Sequence, residues 1–106
     1  MRLPLTELEI NNETFFLTCD SPFLQKYFAE VLPESDIWRT MMKAHWSLSE
    51  ACALFFAATQ ATDSKISPDE VATIVTDETV SAVRVALLEA ASAAIDELLR
   101  GQRYVM

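Results

Sequence analysis

The segment from Thr76 to Arg100 constrains this chain most. Laid out at about 100° per residue, Val80, Val83, Leu87, Leu88, Ala91, Ala94, Ile95, Leu98 and Leu99 fill an arc of about 160°. Glu78, Glu89, Asp96, Glu97 and Arg100 lie opposite. An amphipathic helix of this kind buries its apolar face against the preceding residues or against a client protein. Thr76 or Asp77 is the expected start and Gly101 the expected residue just past the end. Arg84 breaks the pattern. It projects about 40° from Val80 and so falls inside the apolar arc.

The covering layer is legible as a β-hairpin and four further helices. Residues 5–10 and 13–19 are short runs with partial alternation, separated by Asn11-Asn12, a pair that tolerates positive φ. Leu8 and Ile10 with Phe15, Leu17 and Cys19 would form the buried face. Two strands alone are marginal in water, so the hairpin must lie on the helices or pair with another chain.

Ser21-Pro22 starts a first helix, carried by Phe23, Leu24, Tyr27, Phe28 and Val31 and stopped by Pro33. Glu34 or Ser35 opens a shorter one with Ile37, Trp38, Met41 and Met42 on a face, ending near Ala44-His45. Ser47-Leu48-Ser49-Glu50 is a capping box for a third helix running to about Thr62, apolar enough on Leu48, Ala51, Cys52, Leu54, Phe55, Phe56 and Ala58 to be buried on two sides. After a loop at 62–65, Ser67-Pro68-Asp69-Glu70 caps a short helix bearing Val71, Ile74 and Val75. The expected architecture is mostly α, one domain over 1–106: an N-terminal β-hairpin (1–19), a compact bundle of about five helices (21–100) and a tail (101–106).

Charge and composition narrow the function. Sixteen acidic against eight basic residues give a net charge of -8, which repels phosphate backbones and anionic headgroups. The cations are scattered rather than grouped, so neither nucleic acid nor a membrane surface is an expected partner. The longest purely apolar run, Ala51 to Ala58, is far short of the ~20 residues that span a bilayer. Pro4, Glu7 and Glu9 stand where a signal peptide needs an apolar stretch. Cys19 and Cys52, each among apolar neighbours, read as buried thiols of a reducing compartment. Together these give a cytoplasmic expectation.

No chemistry-bearing constellation emerges. His45 has no spacing that places it beside Cys19 or Cys52, and one His with two separated Cys cannot supply the four ligands of a structural zinc site. Residues 63–70 resemble the end of a calcium-binding loop, with Ile66 and Glu70 at its eighth and twelfth positions. Thr59 and Ala61 then occupy the first and third ligand positions and Ser64 the place of the required glycine, so the match fails. The pairs Asp69-Glu70, Asp77-Glu78 and Asp96-Glu97 diverge by about 100° on a helix and read as solvated carboxylates rather than acid/base pairs, the first two in N-terminal turns where they meet the helix dipole favourably. The expectation is a non-enzyme without metal or cofactor.

What remains is protein binding, with candidate contact residues Trp38, Met41, Met42, Trp46, Arg84 and Tyr104. Two Trp and two Met within one short segment match interface composition, or else form core beneath the hairpin. Arg84 would meet a carboxylate on a neighbouring subunit, or lay its stem on the apolar face and snorkel. The apolar tail around Tyr104 would dock on its own domain or offer a short strand.

In order, the hairpin, the helix closed by Pro33, the Trp/Met segment, "SLSEACALFFAATQ", "ISPDEVATIV" and "VRVALLEAASAAIDELL" resemble the tail assembly chaperones of long-tailed phages and gene transfer agents. That resemblance implies a non-enzymatic protein of the host cytoplasm that self-associates as a homo-oligomer and coats the tape measure protein during tail assembly. Members of the gene-transfer-agent type are richer in glycine than this chain, which has one. The alternative from charge alone is a small acidic inhibitor, such as an antitoxin, immunity or anti-defence protein, that occludes a basic site on its target.

Overall fold

The computed structural model describes residues 5–19, 21–60 and 66–105. It is mostly helical, with a two-stranded antiparallel hairpin followed by five helices, in agreement with the architecture expected from sequence. Strands β1 (Thr6–Ile10) and β2 (Glu13–Leu17) pair in the register Thr6↔Leu17 to Ile10↔Glu13. Asn11 and Asn12 hold φ of 53° and 67°. Both lie in the left-handed region, the pattern that lets a two-residue loop follow the right-handed twist of its strands.

Alternation then puts Leu8, Ile10, Phe15 and Leu17 on one face, with Cys19 beyond the second strand, and all five are buried. The hairpin packs on its own helices: β1 on α5, β2 on α3. Phe15 meets Phe55 edge-to-face with ring centroids 5.4 Å apart. Just past β2, the Thr18 N–H donates to the Ala58 carbonyl at 3.4 Å.

Helix α1 (Ser21–Val31) buries Leu24 and Phe28 and makes its main contact with α3, where Tyr27 meets Phe56 edge-on at 6.2 Å. Helix α3 (Leu48–Gln60) is the hub. From Ala51 to Thr59 every residue except Cys52 is buried, and the many alanines let α1, α4, α5 and the hairpin approach from several sides. The one hydroxyl in that stretch, on Thr59, donates back to the carbonyls of Phe55 and Phe56, both at 3.0 Å, so its burial leaves no donor unpaired.

The first capping box forms in full and the second by its N-cap half. Ser47 Oγ accepts from the Glu50 N–H at 3.1 Å while Glu50 Oε1 accepts from the Ser47 N–H at 2.8 Å. Ser67 Oγ accepts from the Glu70 N–H at 3.2 Å and starts α4 (Pro68–Ile74) with Pro in the first turn. The loop expected at 62–65 lies outside the described residues.

Three boundaries differ from expectation. Helix α2 (Ile37–Met42) is opened by Asp36, which accepts from the Arg39 N–H at 3.0 Å, and it stops at Lys43, whose ψ of 147° is extended. Helix α5 begins as a turn at Thr76–Thr79, tied by the Thr79 hydroxyl to the Ile74 carbonyl at 2.7 Å, before regular helix from Val80. Finally, α5 (Val80–Val105) runs straight through Gly101, so residues 101–105 are neither a separate tail nor a strand. A glycine ends a helix by taking positive φ, and no described glycine does so. Inside a helix it costs only about 1 kcal/mol against Ala, which does not outweigh the turns on either side.

Candidate protein-binding groove

Helix α5 has more apolar surface than its neighbours cover. The stripe Val83, Ala86, Leu87, Ala90, Ala91 and Ala94 is buried against α3 and β1. Beside it, Leu88 is 38% exposed, Ile95 52% and Leu99 49%, with Val85 at 56% on the outer flank. The apolar arc is therefore core on one side only. Leu88, Ile95 and Leu99 sit at the edge where the covering layer stops.

Across from that edge stands α2. Trp38, Met41 and Met42 form one wall and Arg84, Leu88, Ala91, Ser92, Ile95 and Asp96 the other, around a groove of ≈ 430 Å³. A six-residue helix can bury one side only, and successive residues diverge by about 100°. Met41 thus joins the core at 3% exposure with Ile37 and Thr40, whereas Met42 is 87% exposed. The Trp/Met segment divides: Met41 is core, Met42 is exposed, and Trp38 is partly buried between them.

Arg84 engages its own chain at the end of α2. Its guanidinium donates to the Ala44 carbonyl at 2.5 Å and the Lys43 carbonyl at 2.9 Å, and it lies 5.1 Å from the centre of the Trp46 ring. These carbonyls follow the last turn of α2, where orphan acceptors and the negative helix end favour a cation. Arg84 therefore fastens α2 and the following turn to α5, with a cation–π contact on Trp46 added. A second tie holds the other end of that turn: Lys43 Nζ bonds Glu50 Oε2 at 2.6 Å. This contact and the capping N–H of Ser47 hold the Glu50 carboxyl below its usual range.

Trp46 is half-buried against the core, and its indole N–H finds no acceptor among the described residues. It lies on the far side of Arg84 from the groove, with His45, Val80 and Ser81 around a smaller hollow. Of the six sequence candidates, the structure brings Trp38, Met41, Met42 and Arg84 together at the groove and places Trp46 behind it. The Tyr104 side chain lies outside the described residues. Leu88, Ser92, Ile95 and Asp96 were not singled out from sequence, although the signal was present: Arg84, Leu88, Ala91 and Ile95 follow i, i+4, i+7, i+11 spacing.

The nucleophilic candidates are scattered. Cys19 points its thiol at the Leu87 carbonyl, 4.0 Å away, and burial pushes its pKa up to about 12. Cys52 is half-buried rather than buried, faces the Val75 carbonyl at 3.9 Å, and is raised by the same desolvation. His45 is exposed in the α2–α3 turn, away from both. Neither thiol is paired with a base, and among the described residues no three His, Cys, Asp or Glu side chains gather as a metal site. No helix among the described residues is long and apolar enough to cross a membrane.

Comparison with protein-family models, with curated proteins and with solved structures finds no match to this chain.

Proposed function

We propose that this is a non-enzymatic binding protein that receives an apolar surface of another protein in the α2–α5 groove. We further propose that it works as a tail assembly chaperone of the phage or gene-transfer-agent type, self-associating and holding the tape measure protein in the host cytoplasm. The observation that carries the binding role is the uncovered apolar edge of α5 at Leu88 and Ile95, set opposite Met42, with Leu99 exposed one turn further along the helix. Singly exposed apolar side chains are ordinary, but a row of them lining a concave surface is the feature that marks contact sites. The chaperone role rests on the resemblance in element order and in the three quoted segments.

Co-expression with a tape measure protein tests the chaperone role. A soluble complex or a defined oligomer is the expected result. A strictly monomeric protein that leaves the tape measure protein insoluble would overturn that role while leaving the groove open to other clients.

A second reading is favoured by charge. The net charge is -8, and among the described residues one ion pair is formed, Lys43–Glu50, so most carboxylates face solvent unpaired. Such a surface suits an inhibitor that occludes a basic site, whose binding should weaken steeply with salt. Charge reversal of Glu78, Glu89 and Asp96 that left every interaction unchanged would remove this reading.

A further inference from the structure

We infer that the occupant of the α2–α5 groove is a basic amphipathic helix of a partner protein, about three turns long, and not a second copy of this chain. The inference rests on the protein-binding reading and specifies its ligand.

Three observations carry it. The groove's lining is apolar except for Arg84, Ser92 and Asp96, and Arg84 is already committed to the carbonyls of Lys43 and Ala44. An extended peptide laid there would find few partners for its backbone N–H and C=O groups, whereas a helix satisfies its own. From Arg84 to Asp96 the α5 wall is about 18 Å long, which matches about twelve residues of helix with anchors at i, i+3 or i+4, and i+7.

Charge then selects among helices. Asp96 lines the groove, and Glu89 is exposed on the same helix. From Val80 to Asp96 the single cation on α5 is Arg84. The cation on α2, Arg39, does not line the groove. In a two-fold dimer this face would meet itself, bringing together two bodies that each carry -8. A helix with Lys or Arg flanking its apolar stripe pairs with Asp96 and Glu89 and is attracted by the whole chain.

The test uses the full chain and two labelled synthetic 18-residue helical peptides with the same leucine stripe, one with Lys and the other with Glu at the flanking positions, followed by fluorescence anisotropy. The Lys peptide should bind at least about tenfold more tightly than the Glu peptide and lose affinity as salt rises. Leu88→Ser with Ile95→Ser, which leaves the net charge unchanged, should weaken it by about tenfold or more. Met42→Ser, at the most exposed position of the other wall, provides a second variant should the first fold poorly, and should weaken binding in the same direction.

Equal binding of the two peptides would overturn the choice of a basic partner and leave the protein-binding reading standing. Failure of both peptides, with a concentration-dependent dimer in sedimentation that Ile95→Ser abolishes, would assign the groove to a second copy. Failure of both with a monomeric chain overturns the inference too, and co-expression with the tape measure protein then decides the broader reading separately. Undiminished Lys-peptide binding by the serine variants would place the attraction elsewhere and overturn it as well.

Discussion

Leu87 and Leu88 are neighbours on one helix and belong to different worlds. Leu87 is fully buried against the hub helix α3 and the hairpin, while Leu88 is 38% exposed on the wall of the groove. The same contrast separates two regions of the molecule. On the side of α1, α3 and the hairpin, apolar surface is matched by apolar surface and the aromatic contacts close over it. On the side of α2, six residues of helix stand where a longer one would be needed to cover α5. Amphipathicity measures what a helix could bury, and the length of its neighbour decides what it does bury.

Substitution of the two leucines is the strongest way to break that comparison. Leu87→Ala should cost about 3–5 kcal/mol in denaturant unfolding, because it opens a cavity in packed surroundings. Leu88→Ala should cost well under about 1 kcal/mol, since the truncated site is open to water. Equal losses would mean that the groove is closed in solution. Arg84→Ala comes next, at about 1–3 kcal/mol, for it leaves two carbonyls and the Trp46 face without their partner. Its signature is local. Amide exchange should quicken across residues 37–46 and stay slow in α3, whereas uniform acceleration would show that α2 is integral to the core.

Gly101→Ala sharpens the account of α5 through the sign of its effect. In a continuous helix the change should stabilise by about 0.5–1 kcal/mol, while at a left-handed helix end it should destabilise by a similar amount. A thermal melt distinguishes the two. The smallest expected effect belongs to Glu50, whose carboxyl is held below its ordinary range by Lys43 and Ser47. A depressed folded-state value means that its contribution is complete above the unfolded value of about 4.3 and fades as pH falls through the lower, folded one. Glu50→Gln should remove that part of the acid-side slope, and an unchanged pH profile would show that the Lys43 contact is too solvated to count.

The closed and open regions also differ in how legible they were. Everything set by local rules was readable: Asn11-Asn12 because few residues accept two positive φ angles in succession, Ser47 with Glu50 because each satisfies the other's backbone N–H, and the inward residues of the hairpin because a strand alternates. Where local rules compete, sequence left choices open. Asp36, Ser35 and Glu34 are all acceptable helix starts, and the side chain that reaches the Arg39 N–H decided among them. Gly101 is an acceptable stop that the helix did not take.

The sequence by itself determined the fold class, the hairpin turn and its buried face, the apolar character that makes the 48–60 helix a hub, and the acidity of the chain. Each follows from properties that a residue shares with neighbours a few positions away. Tertiary structure alone decided that Arg84 would fasten α2 to α5, that Met41 and Met42 would part company, and that the far edge of the α5 apolar arc would stay uncovered. Those outcomes depend on how far one helix extends beside another some forty residues distant, a quantity that periodicity along the chain does not encode.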